Sequence, residues 1–259
     1  MTSAQDEVVE LCSELIRFDT SNPTSSERAA AEWVTGKLDE VGVVSRLYES
    51  EPGRASVVTR VEGADQSRPA LLLHGHLDVV PADAADRDEI EALIGRLGGL
   101  ARMVGATLSN TANPTMLEAG YKSNVIPSSG SAVIDGRFLP GEEEEFERQL
   151  DALIGTGVVR EWVHRDQAVE TDFDGPLVEA MAAALRAEDS AALPVPYTMS
   201  GGTDAKSFER LGMRCFGFSP LLLPADLDFA PMFHGIDERV PTEALRFGAR
   251  VLRRFVAAS

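Results

Sequence analysis

The chain has 259 residues, and 24 Lys and Arg against 42 Asp and Glu give it a formal charge of −18. That excess argues against nucleic acid and anionic membrane surfaces as partners, because both are bound through basic faces. An apolar share of 44% with 25% charged residues belongs to a folded globular chain, long enough for one large domain or two smaller ones.

The first residues, Met1-Thr2-Ser3-Ala4-Gln5-Asp6-Glu7, hold no basic stretch followed by an apolar one, so no secretory signal is expected. No apolar run approaches the roughly 20 residues of a membrane-spanning helix, and a cytoplasmic protein is expected. Over residues 4–18, Val8, Leu11, Cys12, Leu15 and Ile16 make the stripe of an amphipathic helix, stopped by Thr20-Ser21-Asn22-Pro23. A second helix is expected over 27–41, capped by Ser25 or Ser26 and followed by Gly42. Strands over 43–48 and 56–61 flank Glu51-Pro52-Gly53. Ala70-Leu71-Leu72-Leu73 is a short apolar run, the mark of a strand buried on both faces, and it ends in His74-Gly75-His76-Leu77-Asp78.

The middle of the chain predicts a helix over 86–97, β-like segments over 107–114 and 131–139, a helix over 142–154 opened by four glutamates, and a strand over 158–164. The last third alternates a helix over 176–187, a strand over 195–199, a helix over 205–211, a strand over 213–218 and a helix over 241–256. The two cysteines, Cys12 and Cys215, lie in apolar segments and read as small buried hydrophobes.

Four histidines are candidates for chemistry: His74, His76, His164 and His234. His164, in a charged segment, reads as structural. His76 stands two residues before Asp78, and side chains at that spacing on extended backbone point the same way. A carboxylate there can accept the far ring N–H and orient the imidazole. A polar strand end would look the same. His234, beside Gly235, reads either as a ligand-approach loop or as plain surface. Ser200-Gly201-Gly202-Thr203-Asp204 reads either as an anion-holding turn or as an ordinary tight turn with a helix cap.

Taken in order, these segments resemble the M20 metallopeptidases, the family of aminoacylases, carboxypeptidase G-type enzymes, acetylornithine deacetylase and succinyl-diaminopimelate desuccinylase. The run from Leu71 to Pro81 resembles its first metal-ligand motif, and Thr20–Pro23 its early turn. Asn124-Val125-Ile126-Pro127 and Asp135-Gly136-Arg137-Phe138 resemble its lid. Ser200–Asp204 and His234–Pro241 resemble its two C-terminal motifs. The resemblance implies an α/β fold: a metallopeptidase-like sheet with helices on both faces, formed by residues 1–84 and 171–259, plus a partial α+β lid over 85–170. It implies that His76 and His234 each bind one zinc of a two-metal site, with cobalt or manganese as alternatives. Asp78 would act on His76 from behind, and Asn124, Arg137, Gly202 and Thr203 would hold the substrate's carboxylate. The implied reaction is hydrolysis of a peptide or N-acyl amino acid amide next to a carboxylate, and the implied assembly is a homodimer.

The chain departs from that pattern after Pro81. The family's bridging Asp, its Glu-Glu pair and the first part of its lid have no counterpart, as if a central block were removed near residues 82–90. Asp83, Asp86, Asp88 and Glu89 read as a solvated linker and helix start rather than substitute ligands. Little or no turnover is therefore expected. The other class of function left open is a non-catalytic remnant, acting as a binding protein or partner subunit.

Overall fold

The computed structural model describes residues 4–22, 24–80, 107, 109–199, 201–229, 232–235 and 237–259. Among these residues two helices, four strands paired as two small antiparallel sheets and four further helices follow in order, an α/β fold. By their contacts they divide into two units. A terminal unit takes residues 1–86, 176–193 and 219–259, and a middle unit takes residues 87–175 and 194–218. Segment 194–218, grouped with the termini in the sequence reading, thus makes its contacts with the middle of the chain. The helix expected over 86–97 and the linker acids Asp83, Asp86, Asp88 and Glu89 lie outside the described residues.

In the terminal unit, helix α1 (Ala4–Leu15) and helix α2 (Arg28–Glu40) arise where the 3.6-residue periodicity places them. Ser26 Oγ accepts the Arg28 N–H at 3.2 Å, so the expected serine does serve the start of α2, although Glu27 holds the cap position itself. Gly42, at φ +74°, ends it in the left-handed region. Strand β1 (Ser45–Glu51) pairs antiparallel with strand β2 (Arg54–Thr59) around Pro52-Gly53. Gly53 has φ +88°, the value a type II turn demands of its second central residue.

The core of this unit is made by helices. Helix α6 (Thr242–Ala258) buries Ala244, Phe247, Gly248, Val251 and Phe255, a single stripe, and packs on α1. Helix α4 (Gly175–Glu188) buries Val178, Met181, Ala182 and Ala184. The Glu188 carboxylate accepts from Arg250 Nε at 2.7 Å and from Arg254 Nε at 2.5 Å, tying α4 to α6. These bonds hold the Glu188 carboxyl below the usual glutamate range, the Arg250 bond contributing most. Because its pKa is depressed in the folded state, the stabilisation is present above the unfolded glutamate pKa and is lost as pH falls through the folded one. Glu188→Gln is expected to cost about 1 kcal/mol at neutral pH, since both arginines are partly solvated. Denaturant titration across pH should show the wild-type advantage vanishing in acid.

Residues 70–80 depart from expectation. Leu72 and Leu73 are 55% and 61% exposed, and the run forms no strand. A strand buried on both faces needs a ladder on each edge and cover on each side. Among the described residues the segment has a single parallel bridge, Val79 to Ser21. The segments expected as strands over 158–164, 195–199 and 213–218 likewise form no strand.

In the middle unit, strand β3 (Thr111–Ala119) pairs antiparallel with strand β4 (Gly130–Arg137), from Thr111 opposite Arg137 to Ala119 opposite Gly130. Helix α3 (Glu143–Ile154) carries Glu143, Glu144 and Glu145 in its first turn, where the helix dipole favours negative charge. Its Phe146 is the one buried apolar side chain among the unit's described residues. The ring lies 5.6 Å from that of Phe138 and against Gly136, where a Cβ would stand 2.6 Å from it. Helix α5 (Ala205–Glu209) is short and ends before Gly212, at φ +79°.

Candidate functional site

The segment that carries His76 is held by the turn at residues 19–22. The Asp19 carboxylate accepts the Ser21 N–H at 3.1 Å and the Ser25 hydroxyl at 2.8 Å. The backbone bond from Ser21 does most to hold its pKa below the usual range. Thr20, buried, donates its hydroxyl to the Leu77 carbonyl at 2.8 Å. Val79 N–H donates to the Thr20 carbonyl at 3.1 Å, and Asn22 N–H donates to the Val79 carbonyl at 2.9 Å. Three hydrogen bonds therefore fix the backbone of residues 77–79, which join no sheet among the described residues.

His76 and Asp78 are brought together. The ring Nδ1 lies 2.8 Å from the Asp78 carbonyl and 3.4 Å from Asp78 Oδ1. Both are acceptors, so Nδ1 carries a proton, and in the neutral ring the lone pair is then on Nε2. The other oxygen, Oδ2, accepts Asn22 Nδ2 at 2.5 Å. Asn22 Oδ1 accepts from Arg54 Nη1, and the same Nη1 lies 2.7 Å from Oε1 of the buried Glu27. Asn22, Arg54 and Glu27 were not singled out from the sequence. Asn22 read as a helix breaker, and nothing local in Arg54 or Glu27 tells that a fold brings them to a turn more than 50 residues from His76.

His234 has φ +60°, the left-handed region that non-glycine side chains seldom adopt. Its N–H donates to Glu238 Oε2 at 3.1 Å, which ties the loop to the residues before α6. In the middle unit, Arg137 Nε donates to Asp135 Oδ2 at 2.7 Å. Asn124, in the connection between β3 and β4, is exposed, as are Gly202 and Thr203. Thr203 Oγ1 accepts the Ala205 N–H at 3.3 Å, while Asp204, not a Ser or Thr, holds the cap position of α5 and makes no side-chain cap bond.

His164, expected to be structural, places Nε2 2.9 Å from Asp166 Oδ2. Arg210 reaches the same carboxylate at 2.8 Å. That carboxyl is held low, first by His164. Cys12 and Cys215 are half-buried and unpaired by any disulfide, and burial pushes the Cys215 thiol up.

Among the described residues, no three His, Cys, Asp or Glu side chains converge as a metal ion requires. A structural zinc takes four protein ligands and a catalytic one three. The described residues therefore do not fit the two-zinc centre implied by the resemblance. Among them, too, no helix is long and apolar enough to cross a membrane.

The family model described as peptidase family M20/M25/M40 matches residues 90–258, a span that holds Asn124, Arg137, Gly202, Thr203 and His234 but not His76 or Asp78. The acetylornithine deacetylase of Myxococcus xanthus is 31% identical over 156 residues, 57% of this chain and 37% of that protein. Aminoacylase-1 of Pongo abelii and of Homo sapiens are each 30% identical over 154 residues, 56% of this chain and 36% of theirs. The matched part of the chain thus spans 36–37% of the length of these curated relatives. No solved structure matches.

Proposed function

The chain belongs to peptidase family M20/M25/M40, and from that premise we propose that it recognises the carboxylate end of a peptide or N-acyl amino acid, with hydrolysis of the adjoining amide strongly reduced. The names of the relatives, acetylornithine deacetylase and aminoacylase-1, support this substrate class. In this reading Arg137, whose Nε is given to Asp135, adds guanidinium charge beside a carboxylate, with Asn124 and the Gly202-Thr203 turn supplying further donors. His76, turned by Asp78, presents the lone pair of Nε2.

The observation that carries reduced turnover is the lack of any three-donor cluster among the described residues. Among the described residues His76 and His234 each lack the further donors that a zinc takes from a protein. The same observation favours a second reading, a non-catalytic binding protein or partner subunit.

Elemental analysis after dialysis against trace zinc, run beside hydrolysis and binding of N-acetyl amino acids, separates these outcomes. The expected result is well under one zinc per chain, hydrolysis at background, and binding weakened about tenfold or more by Arg137→Ala, the loss of a charge-assisted bond. About two zinc ions per chain, as in a two-metal site, with hydrolysis abolished by His76→Ala, would overturn the reduced turnover. Binding indifferent to Arg137→Ala would overturn the carboxylate reading.

A further inference from the structure

We infer that Asn22 is a positioning residue for His76, acting through Asp78 and itself held by Arg54 and Glu27. The argument starts from the donor inventory. Arg54 has only donors to offer, so the Asn22 amide must turn its oxygen toward Arg54 and its NH2 toward Asp78. Glu27, buried at the cap position of α2, makes an ion pair with the same Nη1 at 2.7 Å. The amide is thereby fixed in one of its two orientations.

Asp78 has two oxygens, and Asn22 takes Oδ2. That leaves Oδ1 toward the ring of His76, 3.4 Å from Nδ1, while the backbone carbonyl of Asp78 stands 2.8 Å from the same nitrogen. Asn22 also grips the backbone, since its own N–H holds the Val79 carbonyl. One residue thus places both acceptors that face Nδ1. The consequence is a ring protonated on Nδ1 with the Nε2 lone pair presented outward. An imidazole that is 69% exposed has no packing to impose this choice.

The inference deepens the functional reading above and rests on it only for the importance of His76. The ring itself reports the device. Proton–nitrogen NMR of His76 in the full chain, at a pH where the imidazole is neutral, measures the ratio of Nδ1–H to Nε2–H tautomers. Wild type is expected to be mostly Nδ1–H. Asn22→Leu, close in size but without a donor, is expected to lower the ratio about threefold, part of the roughly fivefold that losing a whole hydrogen bond gives. Arg54→Met, which frees the Asn22 amide to flip but leaves the turn's backbone bonds intact, is expected to lower it in the same direction by less.

A wild-type ring protonated mainly on Nε2, or a ratio unchanged in both variants, would overturn the inference. Should Asn22→Leu fail to fold by circular dichroism, Arg54→Met decides alone. The readout involves neither metal nor substrate. A chain with the expected tautomer shifts and no carboxylate binding would sink the functional reading and leave this one standing.

Discussion

Phe247→Ala is expected to destabilise the terminal unit by about 3–5 kcal/mol, the usual cost of emptying a buried phenylalanine site. The ring is 6% exposed and lies on the α6 stripe between Ala244 and Val251, both fully buried. The surroundings have little freedom to close the cavity. One turn of α6 is already against the chain at residue 220, where a Cβ on Gly248 would stand 2.6 Å from the Pro220 carbonyl. A helix pinned that closely cannot slide inward to fill the space. Since a domain's whole stability is about 5–15 kcal/mol, the loss is a large share of it. Denaturant unfolding should show a lower midpoint at unchanged slope. Leu252→Ala, next to the stripe but 38% exposed, should move the midpoint far less. Equal losses at both positions would mean that α6 does not bury the face described.

The second large effect belongs to the middle unit. A two-stranded hairpin is marginal by itself, and β3 and β4 have one buried apolar side chain to rest on, Phe146 of α3. Phe146→Ala removes it at a cost of about 3–5 kcal/mol, which a pair of strands and one helix cannot absorb. The expected result is loss of hydrogen-exchange protection across Thr111–Ala119 and Gly130–Arg137, with amides of α6 unchanged. Phe146→Leu, which keeps most of the apolar volume, should retain protection, because conservative swaps cost less than about 1.5 kcal/mol. Protection that survives Phe146→Ala would show that the hairpin has another support.

These two effects divide along the same line as legibility in the sequence. The helices were readable as elements because apolar spacing is local, as with Val8, Leu11 and Leu15 on α1, although α1 buries none of its residues. The face of α6 was not: Leu245, Ala249, Leu252 and Phe255 read as one line, whereas the buried stripe runs through Phe247, Val251 and Phe255 and leaves Leu252 exposed. The hairpin of β1 and β2 was readable from Pro52-Gly53. Leu71–Leu73 was misread because its composition speaks only for an apolar strand, while a strand also needs partners, and the described residues supply one bridge. Family membership was legible because five motifs in order constrain one another. The His76–Asp78 pairing was legible from a spacing of two. Its support was not, because Asn22, Arg54 and Glu27 converge only through tertiary folding, and a turn asparagine looks the same whether its amide is idle or gripped.

The bond between Thr20 and Leu77 joins residues 57 apart in sequence. Closing a loop of that length costs entropy before any contact repays it. The segments between, α2 and the β1–β2 hairpin, close through nearby residues and can order first. The His76 segment must therefore settle late in assembly, onto a turn and an arginine already in place. Any early compact state of this chain would hold its helices and its first hairpin while the histidine at its candidate site was still unaimed.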